Sequence, residues 1–304
     1  MDVRTGLILT RDQQNVADTA RWAESAGFDH LASGEHLFFH GATSNAFVLL
    51  AAAAGATERI RLLTALTILP VYPAVLAAKF AATLDQVSRG RLDLGVGIGG
   101  EYAPEFEAVG VPVTERGPRT DEALGVLSRL FAGGKVEFDG RFTRIPGLEL
   151  DPLPVQRPGP PVWVGGRQDG AMRRAGRHGD VWMPYMYTPE RLAASVARVT
   201  EVAAEHGRGP LRNAIFCWGA VDTDPARARR DAIEAVGATY DQDFEPLADK
   251  YLLTGTPDQV LARLAEFRDA GADTVIFGPP RDADAWERSS RLFAEEVIPV
   301  LRDR

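Results

Sequence analysis

His36 and Glu101 are the first residues to weigh for chemistry. A free imidazole titrates near about 6.5, so a histidine can exchange protons or hydrogen-bond a developing anion at neutral pH. His36 ends the turn Ser33-Gly34-Glu35-His36; the competing reading is a histidine satisfied by Glu35 or by solvent. Glu101 stands just past Gly97-Ile98-Gly99-Gly100, where it could serve as a general acid or simply be a solvated loop glutamate. Gly165-Gly166 could present backbone N–H groups to a phosphate at a helix start, with Arg167 adding positive charge. A plain tight turn beside a surface arginine is the alternative. Tyr185-Met186-Tyr187 could wall a flat ring or belong to core and rim. No metal site is expected. His36 and His40 stand four apart without an HExxH pattern, and Cys217 is the one cysteine. Cys217 reads as a small buried apolar residue, and Arg227, Arg229 and Arg230 as a solvated helix face. No serine nucleophile elbow or Walker loop is present.

These residues need elements to position them. The organising stretch is 61–101: an apolar strand over 61–67, prolines at 70 and 73, a helix over 74–87 and a second apolar strand over 92–96 ending in glycines. Two buried strands joined by a helix make a parallel βαβ unit. The same alternation places strands over 3–10, 28–32, 162–164, 181–184, 213–221 and 274–277. Helices are expected over 14–26, 44–57, 115–131, 169–178, 189–206, 225–237, 256–270 and 285–301. The uncharged, alanine-rich helix over 44–57 should be well buried. Residues 133–150 read as a small hairpin outside the core, 151–161 as a proline-rich extended connector, and 238–253 as irregular. Eight short strands alternating with helices point to a (β/α)8 TIM barrel with loop insertions, one domain over 1–304 with 133–161 as an insertion. An open doubly wound sheet is second; its dinucleotide fingerprint is missing. In a barrel the loops after the strands build the site, which selects Thr10-Arg11, Glu35-His36, Thr67-Ile68, 97–101, 165–168, 185–187, 218–222 and 278–281.

The 304 residues are 45% hydrophobic and 25% charged, an ordinary globular composition. A net charge of −8 argues against nonspecific nucleic-acid binding and against a basic membrane patch. The N-terminal apolar run is too short for a signal peptide core, and neither uncharged stretch, 37–57 or 62–78, reads as a membrane span. A cytoplasmic protein is the expectation.

Three stretches resemble the bacterial-luciferase-like flavin and deazaflavin oxidoreductases. They are Ala26-Gly27-Phe28-Asp29 running to Glu35-His36, Leu92-Asp93-Leu94-Gly95-Val96-Gly97, and Arg116-Gly117-Pro118-Arg119-Thr120-Asp121-Glu122 with 154–166. The resemblance implies a barrel whose strand ends hold a planar tricycle, coenzyme F420 first and FMN second. It implies a bulge with a non-proline cis peptide at Ala65-Leu66 behind the ring, His36 near the hydride-bearing carbon, and Gly165 and Gly166 on the cofactor phosphate. Thr67, Gly97, Gly99, Arg167 and Tyr185 complete the expected cofactor wall, and Glu101 is the second catalytic candidate. The sequence departs from the family pattern at Glu35, where aspartate is frequent, and at Gly100-Glu101, where Gly-Trp is common. The implied activity is hydride transfer to or from a small organic substrate, or with FMN an oxygenation fed by a flavin reductase. Homodimerisation is implied as well, with helix 44–57 as the contact face. Outside that class stand a lysine-based aldolase, disfavoured because Lys79, Lys135 and Lys250 lie away from strand ends, and a barrel that binds the ring without turnover.

Overall fold

A computed structural model describes residues 3–9 and 15–302. In chain order its strands are β1 Arg4–Ile8, β2 His30–Ser33, β3 Arg61–Thr64, β4 Thr67–Ile68, β5 Leu92–Gly97, β6 Val136–Asp139, β7 Arg144–Leu148, β8 Val162–Gly165, β9 Val181–Met183, β10 Arg212–Val221, β11 Leu253–Gly255 and β12 Thr274–Gly278. Eight of them, β1-β2-β3-β5-β8-β9-β10-β12, form a ring that closes from β12 back to β1. Every pairing around the ring is parallel. The expected α/β barrel is therefore present.

Side chains along a strand alternate between two faces, and here both faces are buried. Leu7, Leu31 and Leu62 point outward into the layer shared with the helices. Their neighbours Ile8, Ala32 and Leu63 fill the barrel interior with Trp163, Met183, Phe216 and Ile276. The helices begin where local chemistry starts them. Thr188, Asp224 and Thr256 cap helices Pro189–Glu205, Pro225–Tyr240 and Pro257–Asp269, each with proline in the first turn, and Thr256 and Gln259 complete a capping box. Helices Ala74–Val87 and Asp169–His178 have the expected bounds. The hairpin β6–β7 lies off the ring, and the connector after it docks through Gln156, which donates to Asp85 and to the Leu92 carbonyl.

Several expectations need correction. The helix expected to be buried, Ala46–Ala56, buries one face only. Val48 is 68% exposed and Ala51, Ala52 and Gly55 face outward. Beside it, Val75, Leu76, Phe80 and Val87 of helix Ala74–Val87 are also exposed, so two neighbouring helices share an apolar surface. A helix of alanines carries no polar stripe, so its sequence does not tell inside from outside. Residues 238–253 are not irregular: one helix continues to Tyr240, a short one spans Ala248–Tyr251, and β11 extends the sheet beside the end of β10. The arginine face is partly engaged, since Arg227 grips Asp222 through Nε and Nη2, both 2.7 Å. The strand expected over 61–67 breaks at Ala65-Leu66, a cis peptide, and resumes as β4. Thr10-Arg11 and Gln14 lie outside the described residues. Among those described, no helix is long and apolar enough to cross a membrane.

Candidate active site

A cavity of about 600 Å³ opens at the C-terminal ends of the strands, the end where barrels of this type build their sites. His36, Glu101, Ala65, Leu66, Gly97, Gly99, Gly165, Gly166, Arg167 and Tyr185 all line it. Thr67 does not: it is fully buried in β4, and its Oγ1 lacks a partner. Met186 and Tyr187 also turn away into the core, so of the aromatic turn only Tyr185 reaches the cavity. None of Lys79, Lys135 and Lys250 lines it.

Glycines set the shape of the back wall. A Cβ on Gly97 or Gly165 would meet Leu66 at 3.1 and 2.1 Å, and one on Gly95 would stand 1.8 Å from the Thr64 carbonyl oxygen. The Ala65-Leu66 bulge thus presses against β5 and β8 where side chains are missing. Glu35 anchors this wall. Its Oε1 accepts from the Ile68 amide (3.0 Å), and its Oε2 accepts from the Ala46 amide (3.2 Å), Asn45 Nδ2 (3.3 Å) and Tyr72 OH (3.1 Å). Burial raises the Glu35 pKa, partly countered by these hydrogen bonds.

His36 is not held by Glu35. Its Nδ1 lies 3.2 Å from both carboxylate oxygens of Glu105, a fully buried residue of the short helix Ala103–Ala108. The Leu37 amide also donates to Glu105, at 3.2 Å. A carboxylate only accepts, so Nδ1 carries the hydrogen and Nε2 is left for the cavity. Nε2 is 3.8 Å from Glu101 Oε2, and the ring stacks on Phe39 with centroids 4.0 Å apart. Tyr185 OH donates to Glu101 Oε1. Burial, then the Glu101 charge, raises the Tyr185 pKa, so the phenol keeps its proton.

At the far side, helix Asp169–His178 starts at Gln168 without a side-chain cap, and Gly165, Gly166, Gln168 and Gly170 face the cavity. Arg167 sits 4.8 Å over the Tyr185 ring, and Arg116 lines the same side with a buried Nε that has no partner. These glycines, the uncapped helix start and the two arginines line one end of the cavity, a chemistry suited to an anion. Residues distant in sequence finish the cavity: Phe39, Phe216 and Trp218 of β10, Tyr240 and Arg281. Trp218 Nε1 donates to Tyr240 OH at 3.2 Å. Sequence reasoning selected the Trp218 and Arg281 loops but assigned these residues no role, and it missed Glu105. Among the described residues no group of three or more His, Cys, Asp and Glu could hold a metal ion.

A second cavity of about 600 Å³ lies at the opposite mouth, lined by Arg4, Asp29, His30, Arg61, Asp93, Arg212 and neighbours. Arg61 Nε and Nη2 reach Asp93 at 2.7 and 2.8 Å. Despite burial, the closeness of His30 and the hydrogen bonds and charge of Arg61 hold the Asp93 pKa low.

A closed parallel barrel with a cavity and a tight glycine wall at the C-terminal ends of its strands defines the class: a (β/α)8 barrel of the kind that builds its site in the loops after the strands. The family profile for luciferase-like monooxygenase matches residues 3–274, and the chain belongs to that family. An uncharacterized protein of Mycobacterium bovis is 38% identical over 162 residues; the match spans 53% of this chain and only 55% of that relative. An F420-dependent glucose-6-phosphate dehydrogenase of Nocardia farcinica is 27% identical over 99% of this chain and 98% of its own length. Monooxygenase RslO1 of Streptomyces bottropensis superposes with a TM-score of 0.86 at 26% identity, covering 98% of this chain and 99% of its own. An F420-dependent secondary alcohol dehydrogenase shares the fold with a TM-score of 0.88 at 22% identity, with full coverage of both chains. The family holds oxidoreductases and monooxygenases that use flavin or deazaflavin rings.

Proposed function

We propose that this chain is an F420-dependent oxidoreductase that moves a hydride between the deazaflavin and a small organic substrate. The observation that supports the reading is that His36, held through Nδ1 by Glu105, lines one cavity with Ala65-Leu66 and the Gly165-Gly166 turn. The likeness to the Nocardia farcinica dehydrogenase over nearly the whole chain supports it.

The residues present fit such a group. Ala65 and Leu66 would back the ring, and Gly97 and Gly99 would leave room at its edge. Gly165, Gly166 and the start of helix Asp169–His178 would hold the phosphate, with Arg167 and Arg116 beside them. When bound, the deazaflavin supplies a two-electron carrier that gives or takes a hydride. The protein supplies the proton. A carbonyl that gains a hydride needs one proton on oxygen, and an alcohol that gives up a hydride must lose one. His36 moves that proton at Nε2, Glu105 holds the imidazole by Nδ1, and Glu101 with Tyr185 continues the path outward.

A second reading rests on the likeness to monooxygenase RslO1: an FMN-dependent monooxygenase supplied by a flavin reductase. Titrating purified protein with F420 and FMN separately, by fluorescence quenching, divides the two. The expected result is F420 bound at least tenfold tighter, about 1.4 kcal/mol. The reverse order moves the protein to the oxygenase branch, and binding of neither removes both readings. The reading includes a single cytoplasmic domain and a homodimer paired over Val48, Val75, Leu76 and Phe80, the exposed apolar face of two helices.

A further inference from the structure

We propose that the substrate is an organic acid with a flat apolar body, its carboxylate held by Arg281. The inference rests on the oxidoreductase reading and names the substrate class of that site.

Arg281 follows β12 and lines the cavity. Its Nη1 donates to the Ala42 carbonyl at 3.2 Å, which fixes the guanidinium across the loops after β12 and β2. Its Nε is buried and has no partner. No described carboxylate lies within ion-pairing distance of it, while most described arginines outside this cavity have one: Arg61 has Asp93 and Arg227 has Asp222. Both of those arginines use the Nε–Nη2 edge, two parallel N–H groups matched to the two oxygens of a carboxylate. Arg281 is anchored by its other nitrogen and leaves that edge unmatched. A half-buried guanidinium without a counter-charge is costly unless a ligand completes it. Burial accordingly lowers the Arg281 pKa, with the neighbouring Tyr240 opposing it.

Arg281 is on the wrong side to serve the phosphate. Its anchor spans β12 and β2, on either side of β1, and β8 is four strands from β1 in a ring of eight. The Gly165-Gly166 turn after β8 is thus diametrically opposite. Rings connect Arg281 to His36, while Glu101 lies on the other side of the imidazole, hydrogen-bonded by Tyr185. Phe39 stacks on His36 and lies edge-on to Tyr240 with centroids 6.0 Å apart, and Trp218 is tied to Tyr240. This wall suits a planar apolar body, one end against Arg281 and the reacting carbon near His36.

The test measures binding, with no turnover needed. Phenylacetate and its neutral amide, phenylacetamide, are titrated against the wild type and Arg281→Gln by tryptophan fluorescence and thermal shift, with and without F420. F420 affinity is measured on both proteins. The acid is expected to bind wild type about tenfold or more tighter than the amide, and Arg281→Gln to lose that preference while leaving amide and F420 affinity within about twofold. Arg281→Lys should recover part of it, showing that charge as well as fork geometry acts. Equal binding of acid and amide by wild type, or a preference that survives in a folded Arg281→Gln, overturns the proposal. Loss of F420 binding on substitution overturns it too, because Arg281 would then serve the cofactor. Failure of wild type to bind F420 or FMN strikes the cofactor reading, whereas the acid preference is read on cofactor-free protein and stands apart.

Discussion

At the lower mouth of the barrel, Asp93 receives Arg61 through two short hydrogen bonds, Glu24 receives the amides of Glu58, Arg59 and Ile60, and Asp29 receives the Thr5 amide. At the upper mouth, in a cavity of similar volume, Arg281 and Arg116 each leave a buried Nε without an acceptor. The lower carboxylates are matched by the chain itself, whereas the upper guanidiniums have no acceptor at Nε among the described residues. His30 is the exception below, 3.3 Å from Asp93 yet without a well-directed hydrogen bond. Where polar groups satisfy one another, substitution should cost stability. Where they point into a cavity, substitution should cost ligand affinity or turnover and leave the fold intact.

His36→Ala is the strongest way to break that contrast from above. Turnover should fall by about 10²–10⁴, the range for a positioned acid–base group, while F420 affinity and the thermal midpoint stay near wild type. Steady-state rates set beside the fluorescence titration decide it; a large loss of melting temperature would make His36 structural. From below, Arg61→Ala should leave buried Asp93 with only His30 beside it, at a cost of up to about 3–5 kcal/mol, with kcat per folded molecule unchanged. Urea unfolding of the variant measures this. A smaller effect concerns His178 at the end of helix Asp169–His178, which leads into the lower end of β9. Burial and then the positive charge of Arg177 push its pKa down to about 4. A histidine lowered in the folded state takes up its proton more readily when unfolded, so stability is lost as pH falls from about 6.5 toward 4. His178→Asn should flatten the decline of the urea midpoint over that window.

The regular elements were legible because their signals are local. Prolines and threonines mark helix starts in adjacent residues, and alternation along a strand marks its two faces. The glycine turns and His36 were legible by their position after apolar runs. Glu105 was not, because it meets His36 across 69 positions and reads alone as one more helical glutamate. The cavity face of Arg281 was hidden for the same reason, since its anchor is the Ala42 carbonyl, 239 residues away. The exposed side of helix Ala46–Ala56 escaped notice because alanine fits either environment.

Leu66 occupies space that side chains on Gly97 and Gly165 would otherwise claim. One aliphatic group is therefore the gauge of the slot. Trimming it at Leu66 would deepen the recess without disturbing the neighbouring ladders, and enlarging it would shut out a planar guest before any polar contact could form. If the cavity takes a planar ring as proposed, the room available to it along this wall is set at Leu66.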